Sequence, residues 1–172
     1  DGLPVDWELI PKRDADNFID FLKKLKKGLG KKPLTVCVPA RIKTLKNDVY
    51  DYKRIGKIAD RIMIMAYDEH WTRGPAGSIA SIKWCEKIAD YAKTVWPTSK
   101  YIFGLPFYGR TWGSEPVTKA YAFNGMNRLA HEKDVVKIER EDGVPYYTYK
   151  TEVTVKGWYE DAYSNVVRSR MY

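Results

Sequence analysis

The chain has 172 residues, 44% of them hydrophobic and 14% aromatic, the composition of a globular protein with a real core and at most a small appended lobe. Its two cysteines, Cys37 and Cys85, exclude a disulfide framework and a paired-ligand zinc site, and no apolar run approaches the ~20 residues that cross a bilayer. The net charge of +8 favours anionic partners, but much of it lies in Lys23, Lys24, Lys26, Lys27, Lys31 and Lys32, the solvated side and end of one helix. No nucleic-acid motif or interleaved aromatic pattern accompanies that run, so nucleic acid is not an expected partner.

Leu3 to Glu8 alternates in character and precedes Pro11, so it reads as a short strand entering a loop. Asp14 or Asp16 can cap a helix whose apolar positions Phe18, Phe21, Leu22, Leu25 and Leu29 recur at three- and four-residue spacing, with Gly28 and Gly30 near its end. Leu34 to Pro39 is a β-branched run of strand length, and Tyr52 to Ile58 is one or two helical turns weakened by Gly56. Arg61 to Tyr67 lacks polar alternation after its first residue, as in a strand buried on both faces of a parallel sheet. A loop at Gly74 to Gly77 leads to a helix from about Ser81 to Val95, stopped by Pro97, and Tyr101 to Phe107 is the fourth strand. From Gly113 the pattern changes: Met126 to Lys133 is helical, and Gly143 to Tyr149 with Glu152 to Lys156 forms a hairpin. Trp158-Tyr-Glu-Asp161 then leads into a last helix.

Strands alternating with helices predict an α/β fold with parallel strands. Polar and aromatic groups crowd the strand exits, at Asp6 and Glu8, at Pro39-Ala40-Arg41, at Tyr67 to Trp71 and at Tyr108 to Trp112. No Gly-rich phosphate turn follows any strand. Both features favour a (β/α)8 TIM barrel over an open doubly wound sheet. The expected organisation is barrel over 1–112, an α+β insertion domain over 113–157, and a return to the barrel over 158–172.

Side chains two apart in a strand share a face, about 6.5–7 Å apart. Asp6 and Glu8 therefore project together, an arrangement a general acid can use and one also common at solvated strand ends.

Asp1-Gly-Leu-Pro-Val-Asp-Trp-Glu8 resembles the catalytic signature of glycoside hydrolase family 18, Asp-Gly-x-Asp-x-Asp-x-Glu, at the end of the fourth barrel strand. Met65-Ala-Tyr-Asp68 is similar to the family's sixth-strand motif. Leu105-Pro-Phe-Tyr-Gly-Arg110 with Trp112 is similar to its seventh-strand motif. The likeness covers essentially the whole chain, with the motifs in the family's order, and makes it a partial barrel of strands 4 to 7 with an insertion domain.

The resemblance implies a retaining, substrate-assisted glycosidase that cleaves β-1,4 bonds beside N-acetylglucosamine, with no cofactor and no metal. Glu8 would protonate the glycosidic oxygen, Asp6 would accept a hydrogen bond from the 2-acetamido N–H, and Tyr67 would hold the acetyl oxygen. Met65 belongs to the sixth-strand motif that would line the substrate site, and Asp68 would bind a sugar hydroxyl or act as a loop carboxylate. Trp71, Tyr108 and Trp112 would be stacking platforms or core, and Arg110 would touch substrate or fasten the insertion to the barrel. His70 has no metal-ligand partner at suitable spacing and reads as structural. Val38-Pro-Ala40, Tyr50-Asp-Tyr52, Met65 to Trp71 and Gly77 to Ser81 look most like the bacterial peptidoglycan and spore-cortex N-acetylglucosaminidases. That implies a peptidoglycan or chitin partner and an extracellular or cell-envelope location. A sugar-binding protein that kept the fold and lost turnover is the competing reading.

Two departures stand out. Pro4 replaces the middle Asp of the signature, removing a like charge beside Asp6 and an N–H from the strand. Four strands cannot close an eight-stranded barrel, so the missing barrel segments are expected in a parent chain and the 172 residues are not expected to be active alone.

Overall fold

The computed structural model describes residues 1–113, 119–150 and 154–172, in two compact units. The first comprises residues 1–65 and 87–104. It contains β1 (Leu3–Val5), α1 (Ala15–Leu29), β2 (Leu34–Pro39), α2 (Tyr52–Gly56), β3 (Arg61–Met65), the closing part of α3 (Ile82–Val95) and β4 (Tyr101–Gly104). The strands form one parallel sheet in the order β1-β2-β3-β4. A doubly wound sheet reverses its strand order at a switch point, whereas strictly sequential order with helical crossovers is an arc of a TIM barrel.

One face of this sheet is packed to full burial. Leu34, Val36 and Val38 on β2 and Ile62 and Ile64 on β3 are inaccessible to solvent, as are Leu22, Ile55, Ile88 and Ala92 of the helices. The other face carries Pro4, paired with Thr35, and Cys37, paired with Met63. Cys37 and Cys85 are both buried free thiols.

The first strand is shorter than its pattern predicts. It ends at Val5 because Trp7 turns aside to stack on Phe21 of α1, at 4.5 Å between ring centroids and 15° between planes, and Leu9 takes a left-handed φ of 55°. The fourth strand stops at Gly104 instead of Phe107; Pro106 has no N–H to extend the ladder. Pro4 sits opposite Thr35 in the β1–β2 ladder and contributes no N–H to it.

The glycine in α2 serves packing. A Cβ on Gly56 would lie 2.2 Å from Nε1 of Trp96, and that nitrogen is committed to the Tyr52 carbonyl at 2.9 Å. The indole cannot withdraw without losing its bond. Gly56→Ala should therefore destabilise the protein by about 1–3 kcal/mol, the range for an overpacked core, read as a lower urea midpoint with an unchanged slope.

The second unit comprises residues 66–86 and 105–172. It holds the start of α3, then β5 (Tyr108–Gly113), β6 (Lys119–Ala122), α4 (Phe123–Glu132), β7 (Glu139–Glu141), β8 (Val144–Lys150), β9 (Thr154–Tyr159) and α5 (Ala162–Met171). Its antiparallel sheet runs β6-β5-β9-β8-β7, the sheet of the insertion. The hairpin read from the sequence is β8–β9, closing with Lys150 opposite Thr154; Glu152 and Val153, predicted within it, lie outside the described residues. β5, β6 and β7 are strands that the pattern did not predict. The Tyr108 to Trp112 segment, rich in polar and aromatic groups, reads as a strand exit, yet it pairs with β6 on one side and β9 on the other.

Two apolar clusters hold this unit: Ile79, Trp112, Val144 and Trp158, and separately Met126, Ala130, Tyr147 and Tyr159. Trp158 stacks on Tyr146 at 5.4 Å and meets Trp112 edge-on at 5.6 Å.

Candidate active site

The two predicted carboxylates sit on a turn that is tied down at both ends. Tyr50 donates its hydroxyl proton to the Trp7 carbonyl at 2.8 Å and accepts from the Ile10 N–H at 3.3 Å, bracketing Glu8. Tyr50 is itself seated by Asp48, which accepts from the Tyr50 N–H at 3.1 Å while its carboxylate grips Arg41 at 2.6 and 3.0 Å. With Trp7 stacked on α1, the backbone of residues 7–10 is anchored through groups other than the two carboxylates. Asp6 and Glu8 are exposed. Burial pushes the Cys37 thiol above its ordinary value, and the charges of Asp6 and Glu8 push it the same way. Both carboxylates thus lie within electrostatic reach of one atom on the face of β2 that carries Cys37. Met65, half-buried at the end of β3, continues that face two residues beyond Met63.

In the second unit the residues following β3 form a clamped loop. Asp68 adopts a left-handed φ of 58°, a conformation that costs a residue with a Cβ roughly 1–2 kcal/mol and persists where surrounding contacts enforce it. Tyr108 donates to Asp68 Oδ1 at 2.5 Å, and Arg110 reaches both carboxylate oxygens through Nη2, at 3.0 and 3.1 Å. Arg110 also donates to Thr72 at 2.9 Å. Burial drives the Tyr108 phenol well above its usual value, and the Asp68 carboxylate pushes it further. The phenol therefore stays a donor. Tyr67 meets the Tyr108 ring edge-on at 6.4 Å.

Beyond Asp68, the Glu69 carboxylate accepts from the Ser81 N–H at 2.7 Å and its hydroxyl at 3.1 Å, the Glu69 N–H donates to the Ile79 carbonyl at 2.8 Å, and the His70 ring bonds the Ser78 carbonyl at 2.8 Å. Trp71 is half-exposed, its carbonyl accepting from Trp112 Nε1 at 3.4 Å, whereas Trp112 is 7% exposed and packs in the core. Arg110 grips Asp68 and Thr72, both in the loop that follows β3.

Asp6 and Glu8 thus lie exposed in the segment after β1 in the first unit, beyond the strand whose alternation was expected to align them, and Met65 ends β3 in the same unit; Tyr67, Asp68, Trp71, Tyr108, Arg110 and Trp112 come together in the second. The sequence reading did not put Tyr50, Glu69, Glu160 or Arg168 among its site residues. Tyr50 was legible only as part of the Tyr50-Asp-Tyr52 stretch. Among the described residues no group of three or more His, Cys, Asp or Glu could hold a metal ion, and no helix is long and apolar enough to cross a membrane.

A sequential parallel sheet with acids just after its first strand, together with an antiparallel sheet, is the arrangement of a partial (β/α)8 barrel bearing an insertion. The profile of Glycosyl hydrolases family 18 matches residues 1–169, and the chain belongs to that family. An uncharacterized glycosylase of Bacillus subtilis, YvbX, is 35% identical over 117 residues, 64% of this chain and 34% of its own. The cortical fragment-lytic enzyme of Bacillus anthracis is 29% identical over 172 residues, 92% of this chain and 40% of its own. The crystal structure of the Bacillus cereus spore cortex-lytic enzyme SleL superposes with a TM-score of 0.85 at 28% identity, covering 98% of this chain and 40% of that one. The chain spans between about a third and two-fifths of these relatives' lengths.

Proposed function

We propose that the protein carrying this chain is a retaining glycosidase that hydrolyses the β-1,4 bond beside N-acetylglucosamine in peptidoglycan, in a spore or cell-envelope setting, with the rest of its barrel supplied by segments outside these 172 residues. The observation that carries the reading is the tied turn, with Trp7 and Tyr50 holding the backbone so that Asp6 and Glu8 are left to chemistry.

Glu8 gives its proton to the glycosidic oxygen while the substrate's own acetamido carbonyl attacks the anomeric carbon, forming an oxazolinium ion. Asp6 accepts a hydrogen bond from the acetamido N–H and offsets the developing positive charge. Tyr67 donates to the acetyl oxygen and fixes its line of attack. Glu8, now ionised, takes a proton from the incoming water, which opens the oxazolinium from the side the leaving group left and restores the original configuration. Asp68, Trp71, Arg110 and Tyr108 are assigned to the sugar-binding side, with Asp68 as the group that contacts a hydroxyl.

The preference for peptidoglycan over chitin rests on the two relatives above that are named for spore cortex. The test is release of reducing ends by the full-length protein from purified spore cortex and from chitin oligomers. Faster release from cortex is expected. Faster release from chitin overturns the substrate choice, and tight oligosaccharide binding without release from either overturns the hydrolase.

A further inference from the structure

The second unit buries a charge pair that none of the proposed reaction steps uses. Arg168 on α5 and Glu160, at the end of β9, are both inaccessible at their side chains and meet at 2.5 Å. Replacing a buried ion pair by apolar side chains of similar volume is often neutral or stabilising. Stability alone is therefore a weak reason for this pair to exist.

What an apolar pair would lack is direction. Arg168 donates through Nε to the Ala80 carbonyl at 2.8 Å and through Nη2 to the same oxygen. Glu160 keeps the guanidinium there and is itself steadied by the Ser164 hydroxyl at 2.7 Å, while its second oxygen, Oε1, is buried with no hydrogen-bond partner among the described residues. Burial pushes the Glu160 carboxyl up, against the opposing pull of Arg168 and Ser164. The oxygen that Arg168 holds belongs to the residue before Ser81, whose N–H and hydroxyl grip Glu69. Glu69 follows Asp68, the left-handed residue. From the other side, the Glu160 N–H holds the carbonyl of Tyr108 at 3.2 Å, and the Tyr108 hydroxyl holds the Asp68 carboxylate.

We infer that Glu160 and Arg168 are positioning residues: the pair fixes the Ala80 carbonyl and, through Ser81 and Glu69, keeps Tyr67 and Asp68 in working conformation. The kinetic arm of this inference rests on the hydrolase reading, and the structural arm does not.

The decisive variant is Arg168→Met with Glu160→Leu in the full-length protein, which removes both charges together and should leave the melting temperature near wild type. A positioning role predicts kcat lower by about 10- to 100-fold, KM changed by less than about threefold, and faster amide exchange at Glu69 and Ser81 with exchange in β8 unchanged. Arg168→Lys, which keeps the charge beside Glu160 but loses the two-pronged donation, should fall between. Wild-type kcat together with wild-type exchange at Glu69 and Ser81 in the double variant overturns the inference. If the double variant loses its cooperative melt, Arg168→Lys decides on the same two readings. If the wild-type protein hydrolyses nothing, the hydrolase reading fails separately, and exchange at Glu69 and Ser81 still decides this one.

Discussion

Replacing Glu8 with Gln lowers kcat by about 10²–10⁴-fold, the usual contribution of a positioned general acid, while oligosaccharide affinity stays within a few-fold of wild type. Gln has the same shape but no proton acidic enough to give the leaving oxygen. The fold has no reason to respond, because the turn is held through the Trp7 carbonyl, the Ile10 N–H and the Trp7 ring, and the Glu8 side chain is exposed. Turnover on an N-acetylglucosaminyl oligosaccharide, with calorimetric titration of the same ligand and a thermal melt, separates the three quantities. A Glu8→Gln protein that keeps most of its turnover removes Glu8 as the proton donor.

Arg168→Met alone has the largest expected effect on stability, a loss of about 3–5 kcal/mol, because it strands a buried carboxylate without its counter-charge. The loss also depends on pH. Burial already raises the Glu160 carboxyl above its ordinary value, and removing Arg168 takes away an interaction that opposes the rise. An acid with a higher pKa in the folded than in the unfolded state binds its proton more tightly when folded, so folding is favoured as pH falls from above the folded value toward the unfolded one. The deficit relative to wild type should therefore be smaller at about pH 5 than at about pH 8, measured as the difference in denaturant midpoints. A deficit independent of pH would place the cost in packing around the substituted side chain and not in the stranded charge.

The parallel half of the fold was legible because its signals are local. Val36 and Val38 lie in an apolar run of strand length and α1 shows helical spacing, and both elements appear where the pattern put them; the run through Ile62 and Ile64 also forms a strand, which stops at Met65 instead of Tyr67. The motif residues were legible for a different reason: their likeness to a family signature is carried by order and spacing along the chain. The groups that hold them in place were not, since their partners are distant in sequence. Tyr50 reaches Trp7 across 43 positions, and Arg168 reaches Ala80 across 88. An arginine in a helix with neighbouring polar residues reads as solvated, and nothing local says that β9 and the 66–81 loop will close over it. The strand at Tyr108–Gly113 was missed for a related reason. Its two glycines depress β-propensity, and its partners lie on β6 and β9, well downstream.

The left-handed backbone at Asp68 gives saturation mutagenesis at that position an unusual readout. Asn shares with Asp a tolerance for this region, and Gly enters it at no steric cost, so these two replacements remove the charge while leaving the peptide path intact. Every β-branched or bulky replacement changes both together. A library sorted by folding should therefore retain Asn and Gly beside Asp and discard Val and Ile, and one sorted by turnover should discard Asn and Gly as well, so that the residues passing the first sort and failing the second isolate what the carboxylate does from what the chain direction does.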